Sequence, residues 1–489
     1  VLAIMGGIAG VALAYGGTRM ILNLAFGTRF VPIQATPSLP VLGFAFAASL
    51  LTGILFGIAP AWLTASADPA EALRGANRST GRKAGWGQKS LVIAQAALSL
   101  ILLCAAGLLI RSLDNMHHQN FGFDTRNRYI LHIDPEMAAY KPAQLESFYR
   151  QLHDSLSALP GIELVTFSIY SPMEGDNWSE GVYIEGEPPP PPGTSDHNAT
   201  WVRITPGYFD AIGTKVVKGR AINEQDTPAT RAVAVVNRMF EKKFFKDGEA
   251  IGKHFGDDLK LSGAFEIVGV TEDTNYWGPA SKQRPMYFLA QGQSVHNPDP
   301  RYQGFETRSN YLDAIEIKTR GEVPQLETYV RRTLSEINPD LAIIDFQSFA
   351  SQVNANFTQQ AMIAKLTSLF GILALILASV GLYGVTAYSV EQRTSEIGIR
   401  MALGANRMNV LTLVLSSAFA QIGIGLLIGI PATIFGGRLM ASKLFGVTPR
   451  DPVVLVVTIA VLATAAFVAA VIPARRAAKT EPMTALRTQ

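Results

Sequence analysis

The stretch AYSVEQRTSEIGIRMALGANRMNVL, residues 387–411, leaves one apolar run of membrane length and enters another. Between the two stand Glu391, Arg393, Glu396, Arg400 and Arg407. On a helix, where each residue turns by about 100°, Val390, Ile397 and Met401 share one stripe. Arg393, Glu396 and Arg400 form a neighbouring stripe, with Glu396 and Arg400 spaced i,i+4 as a favourable pair. The spacing predicts a short amphipathic helix. Gly404 is placed to end it in the left-handed conformation and Asn406 to cap the helix that follows, so the chain makes a sharp elbow. By pattern alone the elbow suits either a partner protein or the lipid headgroups.

Working outward, the runs flanking the elbow are two of six. Spanning a bilayer takes roughly 20 mostly apolar residues, and such runs occur at about 1–17, 41–63, 91–110, 366–390, 410–435 and 453–473. None contains Asp, Glu, Lys, Arg or His, whereas a helix of a soluble domain shows a polar face. The expected fold class is therefore a membrane protein: an α-helical transmembrane bundle of about six spans with one large domain outside it.

Charge divides the chain in the same places. Residues 112–362 hold 33 acidic and 23 basic residues, and the remainder holds 6 acidic and 19 basic, which gives the formal net of +3. The positive charge flanks apolar runs and does not build a patch with interleaved aromatics, so nucleic-acid binding gains no support. Lys and Arg collect in cytoplasmic loops. Loops 64–90 and 391–409 with the tail from 474 carry 12 of them, against 5 in loops 18–40 and 436–452. The first set is expected to be cytoplasmic and residues 112–362 extracytoplasmic. The chain begins in an apolar run at Val1 without Met, which we read as a fragment of a longer protein rather than a signal peptide.

The outer region reads as α+β. Leu145, Phe148, Leu152, Leu156 and Leu159 recur at helical spacing before LPG, and IELVTFSIY then alternates as a strand. Leu326, Val330, Leu334 and Ile337 do likewise before NPD and LAIIDF. Two such units suggest two small lobes. EPPPPPG, residues 187–193, reads as an extended polyproline connector.

Chemistry is sparse. The lone cysteine, Cys104, lies inside the third run, which leaves the outer domain without a disulfide or a Cys nucleophile. GEAIGKH, residues 248–254, is one residue short of a P-loop and has His254 where the hydroxyl belongs, and GWGQKS, residues 85–90, lacks the Gly-Lys pair. No HExxH or GxSxG occurs. His117 and His118 are adjacent and read as a polar collar at a span end; His132 and Asp134 share a strand face but make a poor site by themselves. No metal or cofactor is expected, and no catalytic residue is assigned. Ion relays within the spans lack the buried ionisable groups they need.

A repeat search adds an organising fact. APAWLTASADPAEALR, residues 59–74, aligns with IPARRAAKTEPMTALR, residues 472–487, at seven of sixteen positions. Residues 1–75 then look like the tail of one unit whose complete second copy runs from about 91 to 489.

That copy has one span, a large outer domain and three further spans. EQRTSEIGIRMALGA and PARRAAKTEPMTALR resemble the FtsX-like permease domain of type VII ABC transporters. GFDTRNRYILHID, FYRQLHDSLSALPGIELVTFS, RITPGYFDAIGTKVVKGRAINEQD, DGEAIGKHF and FEIVGVTEDT follow the order of the MacB-like periplasmic core. The duplicated arrangement is similar to the orphan permease group described in acidobacteria.

The resemblance implies the following organisation: 1–75, the last two spans of a preceding FtsX-like unit; 76–90, a basic cytoplasmic linker; 91–111, the first span of the second unit; 112–362, the extracytoplasmic MacB-like core; 363–489, the FtsX-like domain with three spans. It also implies a bacterial inner-membrane location and a coupling helix at 391–405 that contacts a separate ABC ATPase, the subunit that binds the ATP. The contact falls to Glu391, Arg393, Glu396, Ile397, Gly398, Arg400, Met401, Gly404 and Ala405. Further implied are pairing of permease units, in a dimer or through the duplicated halves of one chain, and an envelope partner for the outer core. Two other readings stay open: an ATP-independent envelope receptor or scaffold, and a membrane-anchored enzyme.

Overall fold

The computed structural model describes residues 2–26, 38–65, 80–189, 197–245, 248–279, 281–295, 300–403, 406–441 and 444–478. The chain divides into two compact units, Val1–Asn115 with Thr358–Gln489, and Met116–Phe357. Three helices come first: α1 (Leu2–Phe26), α2 (Leu39–Ala65) and α3 (Thr80–His117). There follow β1 (Arg128–Asp134), α4 (Pro142–Ser157), β2 (Ile162–Ser168), β3 (Ser179–Gly181), β4 (Tyr183–Ile184), β5 (Asn198–Ile204), α5 (Tyr208–Ile212) and β6 (Val216–Gly219). Next are β7 (Val233–Asn237), α6 (Arg238–Phe244), β8 (His254–Gly256), β9 (Phe265–Thr271), β10 (Met286–Ala290), α7 (Pro300–Ser309) and β11 (Ala314–Thr319). The series closes with α8 (Leu326–Ile337), β12 (Ala342–Ser348), α9 (Phe349–Ala355), α10 (Thr358–Gln392), α11 (Thr394–Ala402), α12 (Arg407–Leu439) and α13 (Pro452–Ala477).

Each of the six apolar runs lies on a helix of the first unit. Among the described residues four helices are long and apolar enough to cross a membrane, α3 from Gly87, α10, α12 and α13, against about six expected. Thr18, Arg19 and Asn23 enter the second half of α1, and in α2 the described apolar stretch is only Leu39–Leu51. The four share a core of Val92, Ala96, Leu100, Cys104, Leu382, Ala418, Ile422, Leu462 and Ala466. Its interface is built from small residues at every fourth position of α12: Gly425, Gly429, Thr433 and Gly437 are all buried, in register with the buried Gln421. Lipid tails are as apolar as Leu, so helices in a bilayer gain by close backbone approach more than by burying greasy side chains. Leu427, Ile428, Phe435, Val456 and Val468 accordingly point away from the protein. So much exposed apolar surface suits only a hydrocarbon solvent.

The second unit is built on a 12-stranded sheet in the order β12-β1-β11-β2-β5-β10-β7-β9-β8-β4, with β3 on β5 and β6 on β9. Its first four strands pair antiparallel throughout, and β2 meets β5 antiparallel through the pair Ser168 and Ile204. With α4 between β1 and β2, and α8 between β11 and β12, they make a βαββαβ lobe in the order 4-1-3-2. Here the expectation of two lobes from two helix-turn-strand units is corrected. Both units belong to one lobe, because β11 inserts between β1 and β2 and brings α8 against α4. The second lobe is the chain inserted between β2 and β11, with parallel pairs β5–β10 and β7–β9.

Local sequence explains the helices. Pro142 sits at the first turn of α4, where its missing N–H costs nothing, and Leu145, Phe148, Leu152 and Leu156 are buried. Leu159, expected on the same helix, falls beyond the C-cap Ala158, in the turn that Gly161 closes with a φ of 85°. A Cβ at Gly161 would also strike the Val323 side chain. The polyproline stretch lies outside the described residues from 190 onward.

Candidate functional site

The elbow is a helix of nine residues, α11, set between two spans. The chain leaves α10 at Gln392, so Glu391 stands in the last turn of the long helix. Arg393 is the N-cap residue, and its carbonyl accepts the Ile397 N–H at 2.9 Å. The Thr394 hydroxyl donates to the Glu391 carbonyl at 2.8 Å and so closes the bend. Asn406 holds the N-cap position of α12 with an extended backbone (φ −73°, ψ 152°), but its side chain makes no cap bond; this corrects the expected cap. Its carbonyl accepts from Asn409 at 2.9 Å instead. Gly404 and Ala405 lie outside the described residues, and with them the expected left-handed stop.

Ile397 is buried in an apolar cluster with Val410 and Ala477, and Val390 and Met401 pack against it. These residues come from the end of α10, from α11, from the start of α12 and from the end of α13, so one short helix is seated on three spans at once. Gly398 is buried beside Ile397. Glu391, Arg393, Ile399, Arg400 and Leu403 are exposed. The backbone of Glu396 belongs to α11; its side chain lies outside the described residues. The structure thus gathers Ile397 and Met401 into the seat and leaves Glu391, Arg393 and Arg400 outward.

The opposite end of the bundle is clamped by polar contacts that the sequence did not announce. Arg111 Nη1 lies 2.6 Å from Asp451 Oδ1. Asp451 also caps α13, accepting from Val453 and Val454 N–H at 3.0 and 3.3 Å. Ser112 Oγ accepts the Phe445 N–H at 2.8 Å, and Asn115 Nδ2 donates to the Gly446 carbonyl at 2.9 Å. The end of α3 is thereby tied to the loop between α12 and α13. Asp451→Ala removes a cap worth about 1 kcal/mol together with the pair to Arg111, whereas Asp451→Asn keeps the cap. Thermal unfolding in detergent should show a clear loss for Ala and a smaller one for Asn.

In the second unit, Arg203 on β5 is fully buried and spends its donors on the Ala290 and Gln293 carbonyls at 3.0 and 2.7 Å and on Ser309 Oγ at 3.1 Å. Burial lowers its pKa to about 10. His117 stacks on Phe357 at 4.1 Å. His132, paired by the sequence with Asp134, faces Glu174 instead, with Nε2 at 3.0 Å from Oε2; Asp134 accepts from the Met137 N–H.

A bundle of spans with lipid-facing apolar surface, joined through α3 and α10 to a sheet-rich domain, defines a multi-pass membrane protein with a domain outside the bilayer. Comparison with known proteins narrows the class. Residues 91–331 match the MacB-like periplasmic core domain, and residues 368–482 match the FtsX-like permease C-terminal domain. The chain belongs to the ABC transporter permeases that combine these two domains, and the sheet-rich unit is their extracytoplasmic domain. It is 26% identical over 304 residues to the pyoverdine export ATP-binding/permease protein PvdT of Pseudomonas syringae pv. tomato, covering 61% of this chain and 44% of that one. It is 27% identical over 299 residues to the uncharacterized ABC transporter permease YvrN of Bacillus subtilis, covering 57% and 68%. The chain thus spans less than half the length of PvdT. The crystal structure of the periplasmic region of MacB from Actinobacillus actinomycetemcomitans aligns with 47% of this chain and 94% of its own, at 17% identity and a TM-score of 0.31.

Proposed function

We propose that this permease works with a separate ATPase subunit in the bacterial inner membrane, and that the elbow at 391–405 receives the closure of that ATPase and passes it through the spans to the extracytoplasmic domain. ATP is bound by the partner, and the chain supplies the lever. The observation that carries this reading is the seating of α11. Ile397 and Met401 fix it to the ends of α10, α12 and α13, so a push on one exposed helix is a push on three spans.

Orientation supports it. The elbow lies at the end of the bundle shared by Val390 and Ala477, while Arg111, Asp451 and the start of α10 belong to the other end, where the chain leads to and from the outer domain. Arg393, Arg400, Arg407, Arg475 and Arg476 all fall at the elbow end, as the positive-inside rule requires of a cytoplasmic face. Ile399, Leu403 and Met408 are exposed there as well, 48%, 83% and 63%. An apolar centre with a basic rim is the make-up of a protein contact.

In this reading residues 1–75 are the last two spans of a preceding permease unit, and the duplicated units stand where a dimer would otherwise form. Much of the repeat that suggests it, residues 66–74 and 479–487, lies outside the described residues. Work on the outer face would serve export or the remodelling of an envelope partner.

The test is co-purification. Arg393→Glu with Ile399→Glu changes only exposed side chains and should leave the melting midpoint of the chain unchanged while lowering recovery of the bound ATPase at least tenfold. ATPase recovery equal to the parent would leave the elbow as a helix resting on lipid and favour an ATP-independent receptor or scaffold.

A further inference from the structure

The βαββαβ lobe contains a cleft of about 520 Å³, within the size range of small-molecule sites, at the free edge of the sheet. Its walls carry His132 of β1, Met173 and Glu174 of the loop after β2, Asp313 just before β11, and Ile344 and Asp345 of β12. Four observations mark it as a built site. The β1–β12 ladder slips between His132 and Ile133, so His132 pairs with Asp345 and Ile133 with Ile343; Ile344 is the extra residue, 64% exposed over the cleft. Met173 is held in the left-handed region at a φ of 62° by the Tyr276 carbonyl, which accepts its N–H, and by Asn356 Nδ2, which donates to its carbonyl at 2.8 Å. A non-glycine residue in that region is strained and persists where its surroundings fix it.

Third, the carboxyl groups are partly unserved. Asp313 gives one oxygen to Arg308, while Oδ1 has no hydrogen-bond partner. His132 is 8% exposed, and its Nε2 stands beside Glu174 out of hydrogen-bond alignment. Fourth, the loop bearing Glu174 is stapled to α9: Gln352 Nε2 donates to Ser171 Oγ at 2.6 Å and to the Pro172 carbonyl at 2.9 Å. Asp134 and Glu174 add to the negative field at Asp313, the guanidinium facing it is Arg308, already paired, and the His132 imidazole lines the same cleft.

We propose that this cleft binds an organic cation with an apolar body, its ammonium or guanidinium group between Glu174, Asp313 and Asp345 and its apolar part on Ile344 and Met173. Among the described residues no three His, Cys, Asp or Glu side chains converge closely enough to hold a metal ion, and the volume of the cleft suits a larger, extended molecule. The assignment does not depend on the ATPase contact. Asn356, which lines the cleft, stands two residues before the first residue of α10, so an occupant also touches the segment that leads into a span.

Calorimetry on the full chain in lipid nanodiscs, with empty nanodiscs as baseline, decides it. Phenylethylammonium should bind saturably at one site, at least tenfold more tightly than 2-phenylethanol. Asp345→Asn and Glu174→Gln should each weaken the cation at least tenfold without moving the melting midpoint and leave the alcohol unchanged. Equal binding of cation and alcohol, cation binding indifferent to both substitutions, absence of saturable binding, or calcium ion binding in place of the ammonium would each overturn it. If a variant melts lower than the parent, the cation-to-alcohol ratio on the parent chain alone tests the proposal: a tenfold preference supports it and parity overturns it.

Discussion

Glu316→Gln is expected to stabilise the extracytoplasmic unit by on the order of 4 kcal/mol at pH 8 and by almost nothing at pH 4. Glu316 lies on β11, in the middle of the βαββαβ lobe, and is fully buried. Burial raises its carboxyl pKa from the ordinary 4.5 to about 8. The hydrogen bonds agree with a neutral acid. Ser168 Oγ lies 2.5 Å from Glu316 Oε1 and also 3.0 Å from the Tyr170 carbonyl. A hydroxyl has one hydrogen, and the carbonyl can only accept; once Ser168 donates to Tyr170, the proton toward Glu316 must come from the acid itself.

The direction with pH follows. Between about pH 4.5 and pH 8 the folded chain holds a proton that the unfolded chain has released, so stability falls as pH rises, by about 1.4 kcal/mol per unit. Gln keeps the shape, donates to Ser168 and accepts from Thr166, and carries no charge at any pH. The fluorescence-monitored melting midpoint of the parent should drop from pH 5 to pH 8, and that of the variant should stay level. A parallel drop in both would place the pH dependence elsewhere.

The second large effect is in the bundle. A Cβ on Gly425 would stand 2.7 Å from the Ala96 Cβ and 3.0 Å from the Ile93 carbonyl oxygen, and one on Gly429 3.2 Å from the Ala97 Cα. These neighbours are mostly backbone of α3 and cannot turn aside. Overpacking costs about 1–3 kcal/mol per site, and the two sites lie one turn apart on the same interface. Gly425→Val with Gly429→Val should therefore part α12 from α3 and reduce the yield of monodisperse protein about tenfold or more. The same pair of changes at Gly423 and Gly436, where a Cβ meets nothing within 4 Å, should be tolerated. Equal yields for both pairs would mean that small residues do not set this interface.

How much of this was legible in the sequence depends on the range over which each feature is encoded. The spans could be read because a bilayer excludes charge residue by residue, so each uncharged run announces itself. The seat of the elbow was legible for the same local reason: Val390, Ile397 and Met401 fall on one helical stripe and meet in one cluster. Partners distant in sequence left no such trace. Nothing near Arg111 points to Asp451, and nothing in β1 says that β11 will lie beside it, because strand pairing is settled by long-range register and burial. The buried charges Arg203 and Glu316 look like any surface residue in a strand. Leu159 and Asn406 show the limit of local rules, since a periodicity continues past a helix end and a residue suited to capping need not cap.

In the proposed mechanism α11 is gripped by a nucleotide-hydrolysing partner on the cytoplasmic face. This grip is tested most directly by a photo-crosslinking residue placed at Leu403 in living cells, with the adduct identified by mass spectrometry. One dominant protein adduct that carries a P-loop, and that is lost when Ile399 is changed to Glu, is the expected result. Adducts confined to phospholipid, or to proteins of the exported compartment, would contradict it.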